Sequence, residues 1–192
     1  MTSLVKVSLA LAVLLVATST QAQKVRSFTV ERTIAAPASD VWQVVGEDFG
    51  AIANSHSVIV NSDYIDGSLG GGEGAERVCN MNESGTKYVH ERQVNYDPVN
   101  YSFTAQIFHV GKLPLDPAHN QAVYQVIPLD HQTSKLVFTM NYRTKPALFG
   151  ALFKGRFQKT IEDYLLAVDH HVRTGEVVNR DNFKTIKQQY EG

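Results

Sequence analysis

The sequence predicts an α+β domain, an antiparallel meander of strands followed by one long amphipathic C-terminal helix. Strand-like stretches succeed one another at short spacing between Ser57 and Arg143. Their boundaries carry turn residues, as in Glu83-Ser84-Gly85, Asp97-Pro98-Val99-Asn100 and Asp130-His131-Gln132-Thr133. After Pro146 the apolar period changes to three or four, through Phe149, Phe153, Phe157, Ile161, Leu165, Val168 and Val172. Lys154, Lys159, Glu162 and Asp163 fall on the other side of that helix.

The first residues stand apart from the domain. Residues 1–6 carry one positive charge, residues 7–16 (VSLALAVLLV) are unbroken apolar, and small residues precede Gln23. That is the layout of a cleaved secretory leader over residues 1–22. Its apolar run is about ten residues, half of the roughly twenty that a bilayer span requires. The expectation is a periplasmic or secreted protein with no stable membrane anchor after cleavage.

About 170 residues remain, enough for one domain over residues 23–175 and a polar tail over residues 176–192 with room for a short helix. The chain has 18 basic and 19 acidic side chains, and loss of Lys6 with the leader takes the balance from −1 to −2. No basic stripe points to nucleic acid, and no block of like charge points to a disordered tail. Cys79 is the only cysteine, so no internal disulfide can form. It reads as a small buried hydrophobe.

The first strand is Arg26–Ile34, where apolar and polar residues alternate. A helix then opens at Ala35-Ala36-Pro37-Ala38-Ser39-Asp40, because proline suits a first turn and Asp40 suits the positive end of the helix dipole. Val41, Trp42, Val44 and Val45 form its apolar face, and a short helical piece follows near Gly50 to Asn54. Strands are expected over 58–65, 75–82, 86–96, 101–110, 121–128 and 135–143, a meander of hairpins. The long helix ends near Thr174-Gly175, where glycine suits a C-terminal cap.

Hairpin loops set which face each residue occupies. Glu83-Ser84-Gly85 reads as a three-residue loop pairing Asn82 with Thr86, which puts Val89 opposite Cys79 and Glu91 opposite Arg77. Asp97-Pro98-Val99-Asn100 suits a three-residue loop pairing Asp97 with Tyr101, which puts Asn95 opposite Phe103, Gln93 opposite Ala105 and Glu91 opposite Ile107. A two-residue loop there would instead pair Arg92 with Ala105 and turn Glu91 outward; turn chemistry favours the former. One face then gathers Arg77, Cys79, Met81, Val89, Glu91, Gln93, Phe103, Ala105, Ile107 and His109. Leu136, Phe138, Met140 and Tyr142 share the inward side of the last strand.

A solid core would not select Glu, Arg, Gln and His at such positions, since an unpaired buried carboxylate costs several kcal/mol. The mixture fits the wall of a partly apolar cavity with polar anchors. Arg77 and Glu91 can serve either as a cross-strand pair stabilising the sheet or as ligand anchors, and one pair can do both.

Three segments, VERTIAAPASDVWQVV (30–45), GGGEGAERVCNM (70–81) leading to HERQVNYDP (90–98), and the terminal helix, resemble the START-like or SRPBCC superfamily over about residues 25–172. It includes plant pollen-allergen and abscisic-acid-receptor proteins and bacterial polyketide cyclase/dehydrase-type proteins. The resemblance implies a helix-grip fold, a curved antiparallel sheet wrapped around the long C-terminal helix with an internal cavity between them. It matches Glu91 to an inward acidic position, Phe153, Phe157 and Ile161 to cavity-facing helix positions, and the Lys112-Leu113-Pro114-Leu115-Asp116-Pro117 loop to a cavity mouth. His56 aligns with the histidine of a Trp-His-Pro-like segment in which Ser57 replaces the proline.

Members mostly bind lipids, sterols, polyketides or hormones, and a minority catalyse cyclisation or dehydration. The expectation is therefore binding or carriage of a small hydrophobic or amphipathic ligand outside the cytoplasm. Its contacts would be Arg77, Cys79, Met81, Val89, Glu91, Phe103, Ala105, Ile107, Tyr124, Phe138, Met140, Phe153, Phe157 and Ile161. The alternative is a polyketide cyclase/dehydratase-type enzyme with Glu91 as general acid/base and His109 as its proton-transfer partner, Tyr124 and Tyr142 holding a substrate oxygen. No cofactor or metal is expected. His170 and His171 are adjacent and so point to different sides of a helix, and the glycine-rich stretch lacks the Lys-Ser/Thr of a phosphate loop.

Overall fold

A computed structural model describes residues 25–65 and 67–191; the leader expected over residues 1–22 lies outside them. Seven strands form one antiparallel sheet in the order β1-β7-β6-β5-β4-β3-β2. They are β1 (Arg26–Ile34), β2 (Asn61–Ile65), β3 (Glu76–Asn80), β4 (Tyr88–Asp97), β5 (Ser102–Val110), β6 (Gln121–Pro128) and β7 (Ser134–Tyr142). Consecutive hairpins generate β3 to β7, and β1 joins the far edge by pairing with β7 from Arg26↔Tyr142 to Ile34↔Ser134. The sheet is curved and unclosed, and the long C-terminal helix lies in its concavity: the helix-grip fold.

Helix α1 (Ala38–Trp42) starts directly after Pro37 and continues as a π-helical turn, Gln43–Glu47, then as a 3₁₀ segment, Phe49–Asn54. This short arm covers one end of the concave face. Trp42 and Phe49 both set their rings against Phe103, with centroids 5.9 and 5.8 Å away. The glycine-rich stretch is fastened to the arm. The Gly71 N–H donates to Glu47 O at 2.8 Å, and a Cβ on Gly71 would lie 2.1 Å from Gly46 O. Buried Gln93 braces the same junction, accepting from Gly72 N–H at 2.8 Å and donating to Gly46 O at 3.0 Å. Gln93 thus faces inward as its register requires, but its amide is consumed there.

The terminal helix is broken once. Helix α2 (Phe149–Leu152) gives way at Phe153 to α3 (Lys154–Thr174), which stops where Gly175 adopts φ 73°. Leu165 and Val168 enter the main core, while Leu166 and Ala167 pack on Val178, Phe183 and Ile186 of the final segment, which holds helix α4 (Phe183–Gln188). Buried His170 hydrogen-bonds Tyr190 and Glu176, each at 3.0 Å, and so ties this segment to α3.

The β3–β4 hairpin pairs as its turn chemistry demands, Cys79↔Val89 and Arg77↔Glu91, with Gly85 at φ 62°. The β4–β5 hairpin differs at both ends. Its loop has four residues, since Asp97 pairs with Ser102, and Tyr101 rather than Asn100 takes the positive φ, at 52°. An extra residue on β4, where Asn95 has φ 54°, removes the offset, so Gln93↔Ala105 and Glu91↔Ile107 hold. A second bulge follows on β5, between the pairs Glu91↔Ile107 and His90↔His109. It inserts Phe108 and reverses the alternation, so His109 lies exposed on the convex face, its ring stacked on Tyr88 at 5.6 Å.

Candidate functional site

Sheet and helix enclose a cavity of about 350 Å³. β3 and β4 supply Arg77, Cys79, Val89 and Glu91 to its wall, with Met81 just beyond β3. Ile107, Ala122, Tyr124, Phe138 and Met140 continue the wall across β5, β6 and β7. Phe157, Ile161 and Tyr164 come from α3 at helical spacing, and Ile52, His56 and Ile59 close the end beside the arm. Leu113, Pro114 and Leu115 border the mouth.

Of the expected contacts, Phe103, Ala105 and Phe153 are not on this wall. Phe103 is sealed beneath Trp42 and Phe49 and stacks on Tyr124 at 4.4 Å, and Ala105 is fully buried beside it. Phe153 occupies the break between the helices, its ring against Phe149 and Phe157 at 5.8 and 6.1 Å. Tyr142 is structural: its hydroxyl donates to Gly150 O at 2.7 Å. His109 cannot exchange protons with Glu91 because the two lie on opposite faces of the sheet.

The polar end of the cavity is a charge-neutral knot. Arg77 donates to a single oxygen of Glu91, Oε2, from Nε at 2.8 Å and Nη2 at 2.6 Å. Its remaining terminal nitrogen, Nη1, donates to Phe49 O at 2.6 Å, and the guanidinium carbon lies 3.8 Å from the Phe49 ring centroid. The Cys79 thiol also reaches Oε2, at 3.7 Å. Burial works against the Arg77 charge, but the Glu91 carboxylate outweighs it and holds the guanidinium more firmly protonated than usual. Burial pushes the Cys79 thiol far above its ordinary range, which makes it an inert hydrophobe rather than a nucleophile.

His56 sits on the same end, its ring stacked on Tyr164 with centroids 4.7 Å apart. Its Nδ1 accepts the backbone N–H of Val58 at 3.0 Å and of Ile59 at 3.4 Å, which leaves the ring proton on Nε2. Burial, then the nearby Arg77 charge, lowers its pKa to about 3. The final segment positions it: His56 N–H donates to Val178 O at 3.2 Å, and Arg180 reaches Val58 O and Met81 O at 3.2 and 3.0 Å. Burial raises the Tyr124 hydroxyl well above its usual range and the Tyr164 hydroxyl to about 12, so both stay protonated.

The mouth loop is clamped through Asp116. Its carboxylate, 2% exposed, accepts from Arg143 Nε at 2.7 Å and lies 3.1 Å from both Lys145 Nζ and His119 Nδ1. Burial opposes ionisation there, but Arg143 and Lys145 prevail and hold the carboxyl at about 2. Leu115 bridges Thr144, joining this loop to the end of β7. Among the described residues no group of three or more His, Cys, Asp or Glu side chains is placed to hold a metal ion.

Tyr164 and Ile59 were absent from the sequence-derived contacts. Tyr164 lies three residues after Ile161 and seven after Phe157, so the helical period that found those two also marks it. His56 was visible only through the resemblance.

A family model described as polyketide cyclase / dehydrase and lipid transport matches residues 25–168. The chain belongs to that family, within the SRPBCC superfamily. Among solved structures, one from Thermobifida fusca is 26% identical, covers 76% of this chain and 92% of its own, and superposes with TM-score 0.61. The Zhui aromatase/cyclase of a Streptomyces species is 17% identical, over 81% of this chain and all of its own, with TM-score 0.58. Norcoclaurine synthase from Thalictrum flavum, in complex with dopamine and hydroxybenzaldehyde, is 14% identical over 93% and 100%, with TM-score 0.58. No curated protein sequence matches the chain.

Proposed function

We propose that the protein binds, and carries, a small hydrophobic or amphipathic molecule in the cavity between sheet and α3, outside the cytoplasm. The observation that supports this reading best is the pairing of a wall that is mostly apolar with a compact polar cluster of Arg77, Glu91 and His56; Gln121, Arg156 and Thr160 are further polar side chains on the lining. Apolar walls supply affinity by removing ligand surface from water, at roughly 25 cal/mol per Å². The polar end orients the ligand and penalises wrong ones. The aromatase/cyclase and the norcoclaurine synthase, the latter in complex with dopamine and hydroxybenzaldehyde, are enzymes on the same fold. Here the expected His109 partner faces solvent, which favours binding over acid–base catalysis by a Glu91–His109 pair.

Native mass spectrometry of protein purified from its own compartment, with solvent extraction of what co-purifies, tests the reading. An apolar molecule retained at one per chain, and lost on filling the cavity, is expected. Turnover of the bound molecule that disappears in Glu91→Gln would instead establish the enzyme.

A further inference from the structure

The polar end of the cavity restricts the chemistry of what can bind there, given that the binding reading holds. Every hydrogen bond that the described residues make to the Glu91 carboxylate ends on Oε2, while the side chain lines the cavity and is 12% exposed. Oε1 is left as an acceptor. His56 has its Nδ1 occupied by two backbone amides, and among the described residues no acceptor takes its Nε2–H, which is left as a donor. Arg77, the buried cation of this end, uses Nε and Nη2 on Glu91 and Nη1 on a backbone carbonyl.

We propose that this end of the cavity recognises an uncharged hydroxyl, a phenol or alcohol on an otherwise apolar molecule, which donates to Glu91 Oε1 and accepts from His56 Nε2–H. A carboxylate or phosphate would meet the Glu91 oxygen at an end of the cavity whose own cation, Arg77, is already paired; Arg156, the other arginine on the lining, is an exposed residue of α3. An ammonium would find Glu91 already neutralised by a guanidinium beside it. A hydrocarbon would leave both polar atoms unpaired in a dry site, a cost of about 1–3 kcal/mol each. Only a group that both donates and accepts satisfies the pair, and a neutral imidazole, which His56 is at physiological pH, supplies a donor without adding charge.

The test compares 2-naphthol, naphthalene and 2-naphthoate at neutral pH by calorimetric titration of the full mature chain. 2-Naphthol is expected to bind ~10-fold or more tighter than either of the others. His56→Asn keeps an acceptor for the Val58 and Ile59 amides, and its shorter side chain leaves no donor at the Nε2 position, which should bring 2-naphthol close to naphthalene. Equal affinities for 2-naphthol and naphthalene, or tighter binding of 2-naphthoate, overturn the hydroxyl inference and leave the cavity reading standing. Undiminished selectivity in folded His56→Asn overturns it as well. The wild-type comparison decides alone if that variant does not fold. If none of the three binds wild-type protein, the binding reading itself fails.

Discussion

Arg77 and Glu91 stand opposite each other on β3 and β4, and the guanidinium grips one carboxylate oxygen twice while the other oxygen is left to the cavity. The pair therefore holds the sheet together and offers a polar contact at once. Breaking it from one side leaves a buried charge without its partner, which costs more than replacing both. Arg77→Met should lose about 3–5 kcal/mol of unfolding free energy, and Arg77→Met with Glu91→Met should recover most of that. Urea denaturation of the three proteins decides it; equal losses in the single and double variants would show that the two charges are not coupled.

The buried imidazole of His56 makes stability depend on pH. Its folded pKa, about 3, lies below the unfolded value of 6.5, so between those limits the unfolded chain binds more protons. The stabilisation is complete above pH 6.5 and is lost as pH falls toward 3. From pH 7 to pH 5 the loss is about 2 kcal/mol. Asp116, held at about 2, adds stability that is complete above about pH 4 and is lost as pH falls toward 2, so it does not affect the interval from pH 7 to pH 5. Denaturant titrations at pH 7 and 5 should show a slope in the wild type that His56→Asn lacks. Identical slopes would mean that His56 titrates freely in the folded protein.

His109→Ala should change neither unfolding midpoint nor ligand affinity, because the β5 bulge turns that ring out to solvent. A fall in affinity comparable to that of Glu91→Gln would place the ring inside after all. Titration of one ligand against the three proteins separates the outcomes.

The β4–β5 hairpin keeps the register expected from its sequence in the middle and departs from it at its end. Short-range chemistry around Asp97-Pro98 suggests a three-residue loop, whereas the chain forms four and restores the register with a bulge at Asn95. The alternation pattern sees only parity, and two slips of parity cancel between Asp97 and Gln93. Nothing cancels the third slip, at Phe108, so the prediction fails at His109. Strand and helix positions were legible because they follow local periodicity. The sealing of Phe103 by Trp42 and Phe49 was not, because it depends on how the arm packs over the sheet. The placing of His56 by Val178 is likewise a contact between segments more than a hundred residues apart, which no local pattern encodes.

Gly71 fastens the glycine-rich segment to the arm through a close backbone approach. Gly71→Ala would put a methyl group 2.1 Å from Gly46 O and 2.9 Å from the Glu47 Cα, neither of which can rotate away. A loss of about 1–3 kcal/mol is expected in thermal or urea unfolding. A neutral substitution would show that the loop is free to lift off the arm.

The most direct test of the hollow is to fill it. N-phenyl-1-naphthylamine is uncharged and brightens in apolar surroundings, and Ala122 lies on the cavity wall, where a phenyl group would project into the space. Titrated with this fluorophore, the wild type should brighten saturably at one molecule per chain, and folded Ala122→Phe should not. No brightening of the wild type, or the same brightening in both proteins, would contradict an internal binding site.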